Sequence, residues 1–144
     1  MRTKKTILLV DDEPELARIL AETLETDGYT VIPRPDAEAA LTVLLNRTSV
    51  DLVITDLQLP GMSGSELAEV LRKALPSVPI IMLTAYGSVE SYIESRSMGV
   101  FEYINKPVRA KELRRIVKTA LAEPDAGHAP QASHRMRAEM LPLS

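Results

Sequence analysis

The chain has 144 residues and no cysteine, and its two histidines, His128 and His134, both fall in the last 21 residues. Chemistry in the body of the sequence must therefore run on carboxylates, hydroxyls and amines, which excludes Ser/His/Asp triads, cysteine nucleophiles and thiolate zinc sites. The polar residues that end short apolar runs stand out. Asp11 and Asp12 follow Ile7 to Val10, Asp56 follows Leu52 to Ile54, Thr84 follows Ile80 to Leu83, and Lys106 stands just past Phe101 to Asn105. Three carboxylates gathered in one crevice would repel and raise one another's pKa values unless a cation sat among them. Mg2+ suits such a set, because it takes oxygen ligands, keeps several waters and shares its shell with phosphate oxygens. With Lys106 and the Thr84 hydroxyl it would position and neutralise a phosphoryl group. Asp56 is the candidate acceptor, lying between the Asp11–Asp12 pair and Thr84, with one oxygen for the metal and the other for phosphorus.

Each of these residues also has a plainer role open to it. Asp11 and Asp12 precede a helix and could cap it, Asp56 before a Pro-Gly turn could close an Asx turn, Thr84 could be a strand-end hydroxyl, and Lys106 a solvated lysine. What these roles do not require is complementary metal and phosphate chemistry at four strand ends on one edge of one sheet.

The elements that would bring them together follow from periodicity. Apolar runs alternate with helical spacing five times, as in Leu16, Ile19, Leu20 and Leu24 after the first run, with Pro14 in a first turn and Asp27-Gly28 closing the helix. A short strand from Tyr29 to Ile32 leads to a helix with Ala37, Ala40, Leu41 and Leu44 inward and Asp36 as cap. A Pro60-Gly61 turn leads to a third helix with Leu67, Val70, Leu71 and Ala74 inward, a less regular fourth spans about Ser88 to Met98, and Leu113, Ile116, Val117, Ala120 and Leu121 mark a fifth. Strand alternating with helix predicts an α/β protein with a five-stranded parallel sheet, doubly wound, with helices on both faces. Strands one, three and four are unbroken apolar runs, whereas two and five mix in Thr30, Glu102 and Asn105, so the mixed pair belongs at the edges. This fits the flavodoxin-like order 2-1-3-4-5, whose ligands sit at the carboxyl ends of the strands.

Length predicts one domain, with residues 1–123 folded and 124–144, rich in Pro, Ala, Gly, Ser and His as far as Ser133, a C-terminal tail or linker. Net charge is −3, all of it within residues 1–123, which speaks against a nucleic-acid tracker. Apolar runs of at most five residues predict neither a spanning helix nor a signal peptide, and the lack of cysteine fits a reducing cytoplasm.

The stretches Ile7-Leu-Leu-Val-Asp-Asp-Glu-Pro14, Asp51-Leu-Val-Ile-Thr-Asp-Leu-Gln-Leu-Pro-Gly-Met-Ser-Gly64, Ile80-Ile-Met-Leu-Thr-Ala-Tyr-Gly87 and Tyr103-Ile-Asn-Lys-Pro107 together resemble the response-regulator receiver domain of two-component signalling. The resemblance covers about residues 5 to 122. It implies that Asp56 is phosphorylated from a phosphohistidine on a sensor histidine kinase or phosphotransfer protein. It also implies that Asp11, Asp12, Asp56 and the backbone carbonyl of Gln58 hold Mg2+, and that Thr84 and Lys106 bind the phosphoryl oxygens. Tyr103 would be the switch aromatic coupled to Thr84, the Lys106–Pro107 bond would be cis, and output would pass through the face of the fourth helix, fifth strand and fifth helix. Gln58 and Tyr86 are placed to tune hydrolysis of the aspartyl phosphate by gating water. The wording from Thr84 to Glu90 is similar to receivers that head enhancer-dependent activators, while Tyr92, Ser95, Arg96 and Ser97 depart from that subfamily and leave the downstream partner open. A homodimer formed on phosphorylation is one output. A phosphorylation-independent scaffold of the same fold is an alternative, as is the receiver end of a longer DNA-binding regulator. An aspartate-nucleophile phosphatase fits poorly, because its second aspartate would stand where Gln58 is.

Overall fold

The protein is seen in a computed structural model that describes residues 4–85 and 99–122. Tyr86, the expected fourth helix at 88–98 and the segment 123–144 lie outside the described residues. Five parallel strands, β1 (Thr6–Val10), β2 (Thr30–Arg34), β3 (Leu52–Asp56), β4 (Ile80–Thr84) and β5 (Glu102–Asn105), form one sheet in the order β2-β1-β3-β4-β5. The four described helices are α1 (Pro14–Thr26), α2 (Ala37–Leu45), α3 (Gly64–Ala74) and α4 (Ala110–Ala120), the last being the fifth helix expected from the sequence. The edge positions of β2 and β5 are those the apolar patterning predicted, and the strand order is the flavodoxin-like one that this placement fits.

Period-two alternation sends β1 side chains to opposite faces and makes two cores. Ile7 and Leu9 pack with Leu20 and Leu24 of α1 and Leu113, Ile116 and Val117 of α4. Leu8 and Val10 pack with Ala40 and Val43 of α2 and Leu67 and Leu71 of α3. Full burial of each Leu or Ile contributes about 1.5–3 kcal/mol, and the central strands β1, β3 and β4 are buried almost throughout.

The helix faces differ from the expected stripes in detail. Ile19 and Val70 are exposed, and Ala17, Ala21 and Val43 are buried instead. Small side chains at 17 and 21 let α1 approach the sheet closely, a packing role that hydropathy alone underrates. β2 also runs two residues past its expected end, through Pro33 to Arg34. Thr30 donates its N–H to the Lys5 carbonyl. By alternation, Pro33 occupies a position whose N–H would point away from β1, toward the open edge, where a missing donor costs no ladder bond.

Local chemistry sets the joints near the strand ends. Pro14 opens α1 and Gly28, at φ +95°, follows it. The Asp36 carboxylate accepts the Ala39 N–H at the start of α2, as its position predicted. Ser63 and Glu66 form a reciprocal capping box that starts α3. Gly64 is obligatory there, because a Cβ would lie 2.1 Å from the Asp56 carbonyl oxygen and 2.8 Å from Leu57 Cα. The first turn of α3 is thus seated directly on the backbone that carries Asp56.

Candidate phosphoacceptor site

β1 and β3 are adjacent, with Val10 opposite Thr55, so the residues that end them, Asp11 and Asp56, come to the same edge of the sheet. Both are buried, at 2% and 4% exposure, while Asp12 points into solvent. One carboxylate oxygen from each of Asp11, Asp12 and Asp56 can be chosen so that all three lie within 4.8 Å of one another. An all-oxygen triad of this span fits a hard divalent cation.

Backbone donors hold the two buried carboxylates. Asp11 Oδ1 accepts the Glu13 N–H at 2.8 Å, and Asp56 Oδ1 accepts the Gln58 N–H at 3.1 Å. Asp56 does close an Asx-type turn, and that turn is what orients its second oxygen. The helix-capping role open to Asp11 and Asp12 is not the one taken, since α1 begins at Glu13 without a side-chain cap.

Lys106 arrives from the far side. Its side chain is only 15% exposed, and its Nζ donates to Asp56 Oδ2 at 2.7 Å, Asp11 Oδ2 at 3.3 Å and Glu13 Oε1 at 3.3 Å. Each ammonium proton therefore has a carboxylate acceptor. Burial by itself disfavours the ammonium, but the hydrogen bond to Asp56 and the charges of Asp11 and Asp56 outweigh it and hold the Lys106 pKa above the ordinary lysine range. Asp11 goes the other way from a typical ion-paired acid. Burial, reinforced by the charge of Asp56, raises its pKa despite the Glu13 N–H and the neighbouring Lys106.

Thr84 is fully buried at the end of β4, one residue beyond the Leu83 that faces Asp56 across the ladder. Its carbonyl accepts the Lys106 N–H at 2.6 Å. Tyr103, on β5 opposite Met82, is half-buried against the α2–α3 core. Gln58 is exposed, and the Lys106–Pro107 bond is cis. Asp11, Asp12, Asp56, Thr84 and Lys106 are thus gathered at one sheet edge, and Tyr86 lies outside the described residues. Glu13 is the group that sequence reasoning passed over. A glutamate before Pro14 reads as an ordinary helix start, and only the reach of Lys106 across the site reveals the contact.

Five parallel strands in this order, ending in an acidic cluster with a buried lysine, define the class, and the chain belongs to the response regulator receiver domain family, whose model matches residues 7–118. A receiver domain is a phosphoacceptor in two-component signalling. The chain is 37% identical over 131 residues to the transcriptional regulatory protein GlrR of Escherichia coli, covering 91% of this chain and 28% of that protein. It is 38% identical over 125 residues to the phosphate regulon transcriptional regulatory protein PhoB of Pseudomonas aeruginosa, covering 85% of this chain and 54% of that one. The chain therefore spans between about a quarter and half of the length of these curated relatives. Among solved structures, a CheY-like receiver domain from Methanospirillum hungatei superposes with TM-score 0.79 at 34% identity, over 83% of this chain and 94% of that one. The response regulator TrrA from Thermotoga maritima, in complex with Mg2+ and BeF, gives TM-score 0.73 at 38% identity, over 81% of this chain and 99% of that one. No helix among the described residues is long and apolar enough to cross a membrane.

Proposed function

We propose that this chain is a phosphorylation-dependent switch in which Asp56 accepts a phosphoryl group from a phosphohistidine on a sensor histidine kinase or phosphotransfer protein. The observation that carries this reading is the position of Lys106 Nζ, 2.7 Å from Asp56 Oδ2 in a pocket of buried carboxylates. An Asp56 oxygen attacks phosphorus, the phosphorus–nitrogen bond to the imidazole breaks, the imidazole leaves with its electron pair, and a mixed anhydride forms on Asp56. Asp11, Asp12, Asp56 and the Gln58 carbonyl would hold Mg2+, which when bound neutralises charge on the phosphoryl oxygens. The solved relative that binds Mg2+ and BeF supports that assignment. Lys106 turns its ammonium from Asp56 to a phosphoryl oxygen, and the Thr84 hydroxyl supplies a second donor.

The added charge shifts a two-state equilibrium in favour of whichever state satisfies those oxygens better. Tyr103 is the residue through which Thr84 reports that shift, and Gln58 with Tyr86 sets access of hydrolytic water. The output is an altered protein contact, a second copy or a downstream partner, at the face made by 88–98, β5 and α4. Residues 1–123 are the receiver and 124–144 a tail or linker, and the setting is cytoplasmic.

Incubation with acetyl phosphate and Mg2+, read by intact mass, tests this. One phosphoryl adduct is expected, absent in Asp56→Asn and without Mg2+, with the variant retaining its circular dichroism. No adduct on a demonstrably folded wild type would leave the scaffold reading in its place.

A further inference from the structure

Lys106 has three carboxylate partners, and only two of them belong to the set that would hold a metal. Asp11, Asp12 and Asp56 bring three negative charges, which one divalent cation and one ammonium would balance to zero. Glu13 tips that sum to −1. It is also the partner on the solvent side. Its side chain is 61% exposed, against 0% for Asp11 and 6% for Asp56, and it lines with Lys106, Leu16 and Pro107 an open cleft of ≈ 610 Å3. That cleft, which Glu15 also lines, lies on the outer side of Lys106, so Glu13 holds its charge against the ammonium from the face away from Asp56.

We propose that Glu13 is a specificity-determining residue, whose carboxylate on the outer side of Lys106 slows phosphoryl transfer from small dianionic donors arriving free from solution. The inference rests on the reading of Asp56 as acceptor. The penalty scales with the charge on the donor, so it separates a dianionic donor from one that carries a single negative charge. The effect is Coulombic. One net negative charge acting on a dianion across a separation on the order of the Debye length disfavours it about fivefold in water of low ionic strength and about twofold at physiological salt, where that length is about 8 Å.

Glu13→Gln isolates the charge, because the amide oxygen can still accept from Lys106 at the same position. Second-order rate constants for adduct formation would be measured by intact mass with two donors: acetyl phosphate, a dianion at neutral pH, and phosphoramidate, which carries one fewer negative charge. Each would be followed across ionic strength, alongside the lifetime of the adduct once donor is removed. The expected result is a rate with acetyl phosphate raised about twofold at physiological salt and about fivefold at low salt, a smaller gain with phosphoramidate, and an unchanged lifetime. Equal changes with both donors, independent of salt, would overturn the inference and leave Glu13 as a mere support for Lys106. So would a slower or unaltered rate. Absence of any adduct on the wild type with either donor would instead overturn the acceptor reading, and this one with it.

Discussion

Lys106 and Arg114 are both cations held by carboxylates far away in sequence, and the two arrangements work in opposite senses. Arg114 makes a bidentate pair with Asp27, Nε to Oδ2 at 2.9 Å and Nη2 to Oδ1 at 2.8 Å, tying α4 to the end of α1 with one charge of each sign. There the guanidinium hydrogen bond dominates and holds the Asp27 pKa below its ordinary value. At the other end of α1, burial dominates and the Asp11 pKa is raised although an ammonium lies 3.3 Å away. The surface pair is balanced and solvated. The site cluster has three carboxylates in contact with one ammonium, two of them buried, and that ammonium offsets only part of their mutual repulsion. An excess of negative charge at one sheet edge is what a structural pin would avoid and what a divalent cation would neutralise.

Removing the cation from each cluster should separate them most strongly. Lys106→Met keeps the methylenes and deletes the charge, leaving Asp11 and Asp56 uncompensated. It should cost about 1–3 kcal/mol in urea unfolding at neutral pH, below the full cost of breaking a deeply buried pair because the ammonium borders an open cleft. Millimolar Mg2+ should recover part of that loss, and a variant as stable as wild type without metal would show that the cluster holds less charge than its geometry suggests.

Acid titration sharpens the contrast further. Between 3.8 and the raised Asp11 value, the folded protein holds a proton that the unfolded chain has lost, so stability from this group falls as pH rises through that window. Asp11→Asn has no such fall and should therefore be more stable than wild type at neutral pH without metal, with the gain fading as pH drops toward 3.8. Melting curves between pH 3.5 and 7 would check this.

The smallest effect belongs to the surface pair. Arg114→Ala should lower Tm only slightly at neutral pH, and the difference should disappear in high salt. It should also disappear in acid, because a depressed carboxylate stabilises fully above 3.8 and loses its contribution as pH falls through the depressed value. A large, salt-independent loss would make this pair a packing element rather than a solvated one.

Much of the site was legible because strand ends are. A run such as Leu52-Val-Ile-Thr that terminates in Asp56 marks both a buried strand and the place where its last side chain must find a polar partner, and parallel βα alternation puts Asp11, Asp56 and Thr84 on one edge. The edge placement of β2 and β5 followed from the runs interrupted by Thr30, Glu102 and Asn105, which fits the order 2-1-3-4-5 of doubly wound sheets. What was not legible depended on neighbours remote in sequence. Burial of Ala17 and Ala21 in place of Ile19 reflects how closely α1 lies on the sheet, which spacing does not encode. Glu13 and Lys106 lie 93 residues apart, and no local signal pairs them. The second strand was read as ending at Ile32, and its one-sided pairing explains why it continues through Pro33 to Arg34.

The hydrogen bond from the Lys106 N–H to the Thr84 carbonyl spans 2.6 Å and joins the tips of β4 and β5. β5 is four residues long and, among the described residues, pairs on one side only, as β2 does at the opposite edge. A displacement of Thr84 would reach Lys106 through that bond, and Tyr103 lies three residues upstream, on β5. The same bond ties the strand that carries Tyr103 and leads into Lys106 to the end of the buried strand beside Asp56.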